Sequence, residues 1–308
     1  MLRPSPPIRA FLQSKALLNG CSQIFLQQHP LCGLLCLLAI ALTAPQLLGA
    51  ALLGGFAGAL TARQQRYAED DIEAGLYSYN GVLLGLLLCH SFAWSPLLAL
   101  VIVGSAGLSS LILGHWLRLA RKYDGLPAYT SPFVGLGWLL ISVGGVLNLE
   151  VNPAAPTPLH GMLALDLPLA ILRGLSQVIF LNDPLAGLCI FAALLLANWR
   201  AALWALLGSA LALALALLQG QQSAALDGLF GLNGALVAIV LGQRYRRPWP
   251  ALVGILLSVL LQPGFTALGL ATPLTAPFIL ACWLVHACIQ PLRNPAADCA
   301  PHERKPRG

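Results

Sequence analysis

Apolar and polar positions alternate in long blocks along this chain. Ten apolar stretches lie at about 31–44, 46–61, 76–90, 93–114, 130–148, 184–197, 201–217, 228–243, 249–262 and 275–291, with short polar gaps between them. None of the ten contains Asp, Glu, Lys or Arg. Uncharged runs of this kind predict α-helices set in a bilayer. Several are shorter than the roughly 20 residues a full span needs. The segments Ala16 to Gln28 and Leu172 to Asp183 are shorter still. Short apolar segments carrying a polar residue predict half-helices buried in protein, because irregular backbone at membrane depth must line a cavity or a neighbour.

The polar residues inside the apolar pattern recur. Ser22-Gln23-Ile24-Phe25-Leu26, followed by Pro30, matches Ser176-Gln177-Val178-Ile179-Phe180, followed by Pro184. Gly75-Leu76-Tyr77-Ser78-Tyr79-Asn80-Gly81 matches Gly228-Leu229-Phe230-Gly231-Leu232-Asn233-Gly234. Thr130-Ser131-Pro132-Phe133, with Trp138 beyond it, matches Thr275-Ala276-Pro277-Phe278, with Trp283 beyond it. Gln177 follows Gln23 by 154 positions, Asn233 follows Asn80 by 153, and Thr275 follows Thr130 by 145. Three pairs in one order at nearly one spacing predict an internal duplication.

Gap charges predict how the two halves are oriented. Arg63 to Arg66 and Arg118 to Lys122 are basic in the first half, while Ser91 to Ser95 carries no charge. In the second half the bias reverses: Gln219 to Gln222 and Gln262 to Leu270 are uncharged, and Arg244 to Arg247 is basic. Equivalent gaps therefore fall on opposite sides under the positive-inside rule. Five crossings per half, an odd number, require the same inversion and place both termini in the cytoplasm. The predicted fold class is an all-α integral membrane protein of two inverted repeats of five transmembrane helices each, plus short half-helices. The expected divisions are a cytoplasmic N-terminal tail at 1–15, repeats at 16–150 and 151–292, and a cytoplasmic C-terminal tail at 293–308.

Composition agrees with a chain dissolved in lipid. Of 308 residues, 58% are hydrophobic and 9% charged, against about a quarter charged in soluble domains. The net charge of +6 resides in gaps and tails, which offers no continuous surface for nucleic acid. Eight cysteines, mostly inside apolar runs and without a CxxC pair, read as small buried residues. Residues 1–15 lack the apolar core and cleavage site of a signal peptide. With no alternating strand pattern, an outer-membrane barrel is excluded and an inner (plasma) membrane is expected.

Buried amides and hydroxyls are costly unless partnered, so the duplicated Gln23 and Gln177, Thr130 and Thr275 are the candidate solute-contacting groups. Asn80 and Asn233, beside glycine, read instead as structural caps. Ion-coupled carriers and pumps normally require intramembrane ionisable groups, and the apolar stretches have none. His90 and His286, near segment ends, are expected at the interface. No nucleophile–base set accompanies Ser22 or Ser176, which argues against a membrane enzyme. No metal or cofactor is expected. Asn-Pro-Ala occurs at Asn152 and Asn294, but the first copy runs into a Pro-rich stretch and the second lies in the polar tail. Neither can open the inserted half-helix that this motif starts in water channels.

On these residues the chain resembles the urea transporter family, as a bacterial member, over about residues 16–290. The resemblance rests on Ser-Gln-(Ile/Val) with its following Pro, on Gly-Leu-x-x-x-Asn-Gly with Leu83 or Leu236 after it, and on Thr-x-Pro-Phe with its Trp. It implies a homotrimer of protomers, each with its own pore conducting urea passively. Gln23 and Gln177 would hold the outer positions, Thr130 and Thr275 the constricted middle, and Leu83 and Leu236 would narrow it. Ile24, Leu26, Val178, Phe180, Tyr79 and Leu232 would form the walls of a flat slot. Another small neutral solute, such as a short amide, ammonia or water, is the alternative cargo.

Overall fold

The computed structural model describes residues 6–123, 125–153, 166–269 and 272–293. The Asn294 motif, Cys299 and nearly all of the expected C-terminal tail lie outside these residues. Every named element among them is helical, and Phe92 and Val151 form an isolated antiparallel bridge. In order, the first helices are α1 (Pro6–Gln23), α2 (Pro30–Thr43), α3 (Pro45–Gln64), α4 (Glu69–Glu73), α5 (Tyr79–Ser91), α6 (Pro96–Tyr123) and α7 (Ser131–Val143). The next are α8 (Asp166–Ser176), which runs into a 3₁₀ turn Gln177–Ile179, then α9 (Pro184–Ala197) and α10 (Trp199–Leu218). The last are α11 (Gln222–Leu226), α12 (Gly231–Arg244), α13 (Trp249–Ala267) and α14 (Ala276–Arg293).

Each of the ten apolar stretches forms a helix. Among the described residues three helices, α3, α6 and α10, are long and apolar enough by themselves to cross a membrane, and α8 with α9 forms an apolar pair bent by 77°, a broken span or a re-entrant loop. Two differences from the sequence expectation stand out. α6 continues through Arg118, Arg121 and Lys122, which read as a gap; Arg121 is held there by both carboxylate oxygens of Asp71, at 2.9 and 2.8 Å. Charges on a helix that projects beyond the apolar region look like loop in a hydropathy pattern. The five-residue helices α4 and α11 were not foreseen, since one turn of mixed polarity leaves no periodic signal.

The element order α1–α7 is repeated by α8–α14, one for one. Pro opens α2, α3 and α9 at their first turns, where its missing N–H costs nothing. The outer faces are apolar: Leu31, Leu34, Leu38 and Leu42 form a stripe along α2, and each is between 44% and 58% exposed. In water such a stripe would drive association; in a bilayer it meets acyl chains. Equivalent helices touch each other, α2 on α9 and α7 on α14, the pattern of an isologous contact.

Inside each half, glycine sets the closest approach. A Cβ on Gly81 would stand 2.3 Å from the Gly54 carbonyl oxygen, and one on Gly234 would stand 2.5 Å from that of Gly208. These pairs join α3 to α5 and α10 to α12, where small residues let backbones meet in lipid. Gly81→Ala and Gly234→Ala are each expected to lower stability by about 1–3 kcal/mol through overpacking. Gly104→Ala, which meets nothing within 4 Å, should leave stability unchanged or slightly raise it. Thermal unfolding of the detergent-purified protein checks this order.

Candidate functional site

Two cavities sit where helices end. The first, about 220 Å³, is lined by Gln23, Ile24, Leu26, Leu76, Tyr79, Tyr129, Thr130 and Phe278, with Pro127, Ala128, Leu113 and Leu117. The second, about 410 Å³, is lined among others by Gln177, Phe180, Leu232, Leu274, Leu87, Ile141, His90, Gln221 and Gln262. Among the described residues neither wall contains Asp, Glu, Lys or Arg.

Local backbone builds both in the same way. α1 stops at Gln23, and the N–H groups of Phe25 and Gln27 return to the Ser22 carbonyl. Leu26 then takes a left-handed conformation, φ 58°, which turns the chain toward α2. In the second half Leu181 N–H returns to the Ser176 carbonyl, and Phe180 has φ 61°. A side chain in this region costs on the order of 1–2 kcal/mol, and such strain gathers at functional sites. The two glutamines are held alike. Gln23 Nε2 donates to the Ala74 carbonyl at 3.1 Å, and Gln177 Nε2 donates to that of Asp227 at 2.9 Å. Those carbonyls directly precede Gly75 and Gly228, with φ 81° and 79°. With its nitrogen engaged, each amide offers its oxygen as the acceptor.

The threonines stand at two further tight turns. Tyr129 and Leu274, at φ 46° and 49°, are left-handed and immediately precede Thr130 and Thr275. The turns close with Ser131 N–H on the Ala128 carbonyl and Ala276 N–H on that of Pro273. The two threonine hydroxyls then meet each other at 2.7 Å, buried. Each turn is pinned by the opposite half. Trp138 Nε1 donates to the Thr272 carbonyl, and Trp283 Nε1 donates to that of Pro127, both at 2.9 Å. Trp283 also stacks on Trp116, and Trp138 lies against Phe265, with ring centroids 5.7 Å apart in each pair.

The structure thus brings Gln23, Ile24, Leu26, Tyr79 and Thr130 to the first cavity and Gln177, Phe180 and Leu232 to the second, while Thr275 is bonded to Thr130 and lines neither. Leu83, Leu236 and Val178 are buried and line neither cavity. Asn233 ties α12 to its surroundings, donating to Gln262 Oε1 and the Leu274 carbonyl and accepting from Phe278 N–H. In the first half the equivalent carbonyl, of Tyr129, accepts from the Tyr79 hydroxyl instead. Asn152 caps the end of α5 by donating to the carbonyls of Cys89 and His90, a role unrelated to an inserted half-helix. His286 is buried within α14 and hydrogen-bonded at both ring nitrogens, to Tyr129 and Tyr245. Sequence reasoning missed Tyr129 and Leu274, although their place just before the duplicated threonines was a usable signal. It also missed Gln262, a lone amide at the end of an apolar stretch.

Apolar helices with exposed apolar stripes, around two cavities whose described walls carry no charge, define a multi-pass membrane protein. A family model described as Urea transporter matches residues 14–290, and the chain belongs to that family. It is similar to Urea transporter 1 of Rattus norvegicus, 27% identical over 264 residues, covering 79% of this chain and 66% of that one. It is likewise similar to Urea transporter 1 of Ovis aries, 27% identical over 243 residues, covering 74% and 62%. The chain thus spans slightly less than two thirds of the length of these relatives.

The tryptophan pins generate a direct test of the site's architecture. Trp138→Phe and Trp283→Phe each remove one hydrogen bond while keeping a ring, and each is expected to cost about 1 kcal/mol. Because the two pins act on turns joined by one hydroxyl pair, the double substitution should deviate from additivity by about 0.5 kcal/mol or more. Unfolding of the single and double variants measures it.

Proposed function

We propose that this protein is a passive channel that conducts urea down its gradient across the inner (plasma) membrane. The observation that carries this reading is the hydrogen-bonded pair Thr130–Thr275, in which Thr130 lines the first cavity and Thr275 follows Leu274 of the second, with no charged residue in either described wall. Separating two hydroxyls that a solute then satisfies costs about 1 kcal/mol net. Stripping an ion of water in an apolar passage costs on the order of 20 kcal/mol by an idealised Born estimate. A neutral, planar solute with four N–H donors and one acceptor fits that difference. Gln23 and Gln177 present oxygens at the outer ends, and the hydroxyls take over in the middle. Ile24, Leu26 and Tyr79 on one side, and Phe180 and Leu232 on the other, flatten the path. Leu83, Leu236 and Val178 support it from behind. Weak binding at several successive sites favours passage over capture.

The two sets of helices are read as inverted-topology repeats around an axis in the membrane plane. Reciprocal tryptophan bonds, self-pairing of the threonines and the reversed gap charges support this. Both termini then lie in the cytoplasm, and the protomer assembles as a homotrimer with one path per subunit.

Reconstituted into proteoliposomes, the protein is expected to pass urea rapidly and with no dependence on proton or sodium gradients. Thr130→Val and Thr275→Val should each lower urea flux about tenfold, the worth of one well-placed hydrogen bond. Fast acetamide, ammonia or water entry with slow urea entry would overturn urea as the cargo. Flux abolished by collapsing an ion gradient would overturn the passive mechanism.

A further inference from the structure

The two halves differ at one place beside the constriction. On the first-cavity side, His286 of α14 is held between two phenols. Its Nε2 lies 2.9 Å from the Tyr129 hydroxyl and its Nδ1 lies 2.7 Å from that of Tyr245. A neutral imidazole has one donor and one acceptor nitrogen, so one tyrosine donates to it and the other accepts, and every ring nitrogen is used. The imidazole lies nearly parallel to the plane of the Tyr129 ring, interplanar angle 12°. The positions equivalent to Tyr129, His286 and Tyr245 in the other half are Leu274, Ile141 and Phe92, all apolar. At this place the second half offers apolar side chains, where the first cavity is bounded by a directional chain.

We infer that His286 is a positioning residue that sets solute selectivity at the first cavity, acting through Tyr129; the inference rests on the channel reading above. Tyr129 is the point where three demands meet. Its ring lines the first cavity, its backbone is left-handed, and its next neighbour is Thr130. Its carbonyl accepts from the Tyr79 hydroxyl, another wall residue, and its ring lies 5.1 Å from that of Phe278. Those contacts fix the peptide and one face of the ring. The hydroxyl end is fixed by His286, which Tyr245 fixes in turn at the end of α12. Apolar packing tolerates sliding, whereas a hydrogen bond at each end of an imidazole does not. The ring plane of Tyr129 is therefore set by the chain, and with it the width available to a flat solute. Leu274, lacking any polar tip, cannot exert the same control on the second cavity.

The test compares urea and acetamide permeability in proteoliposomes of the full-length wild type and its variants. Acetamide replaces one flat amide group of urea with a bulkier methyl. His286→Leu is expected to raise the acetamide-to-urea ratio about tenfold, the equivalent of one directional hydrogen bond lost. Tyr129→Phe, which removes only a hydroxyl, should shift the ratio in the same direction, and His286→Leu added to it should shift it little further. Tyr245→Phe should give a smaller shift. His286→Gln, which keeps a donor and an acceptor toward Tyr129, should stay within about twofold of wild type. A purely structural histidine would lower both fluxes together with the amount of folded protein. An unchanged ratio in both His286→Leu and Tyr129→Phe therefore overturns the inference. Wild type that passes urea while the ratios stay fixed sinks the positioning role alone; wild type that passes neither solute sinks the channel reading, and the inference with it.

Discussion

A helix that stops inside a bilayer leaves carbonyl or N–H groups that water cannot reach, and everything in this structure follows from where those groups are satisfied. α1, α8, α5, α12, α7 and α14 all begin or end beside the two cavities. Their end groups bond to tight turns, to glutamine amides and to the opposite half of the protein. The strained residues Leu26, Phe180, Tyr129 and Leu274 lie at these same breaks. Left-handed strain of about 1–2 kcal/mol at each is sustained because the surrounding bonds over-determine the turns. The cavities are thus by-products of interrupted helices, and the interruptions are what let polar groups exist at that depth.

Reciprocity gives the arrangement its stability. Each half supplies the tryptophan that pins the other's threonine turn, and each supplies one hydroxyl of the central pair. Neither half can form its own constriction alone. Yet the symmetry is incomplete where solute would first meet each threonine. Tyr79 and Tyr129 on one side face Leu232 and Leu274 on the other, and Asn233 takes over the carbonyl bond that Tyr79 makes. A duplicated scaffold has kept its bonding logic while its two mouths have diverged in chemistry.

Much of this was legible in the chain. Ten helices could be placed because long uncharged runs have few other uses, and the paired Gln and Thr stood out because duplication repeats them in register. The short helices α4 and α11 and the projecting end of α6 were not legible, since charge and brevity both mimic loops. Nor were the left-handed residues, because leucine, phenylalanine and tyrosine give no local signal for positive φ. The crossed tryptophan bonds and the Tyr129–His286 bond join residues more than 130 positions apart, which periodicity cannot reveal. Nor was the pairing of His286 legible, since the equivalent position of the other half holds Ile141 and no duplicate marks it.

The central claim is that a planar solute passes by inserting between the hydroxyls of Thr130 and Thr275. A structure of the protein at high urea concentration, in lipid, tests this most directly. The account predicts a flat solute at that point, the hydroxyl pair no longer bonded to itself, and both oxygens accepting from the solute's N–H groups. Solute found only elsewhere, with Thr130 and Thr275 still joined, would contradict it.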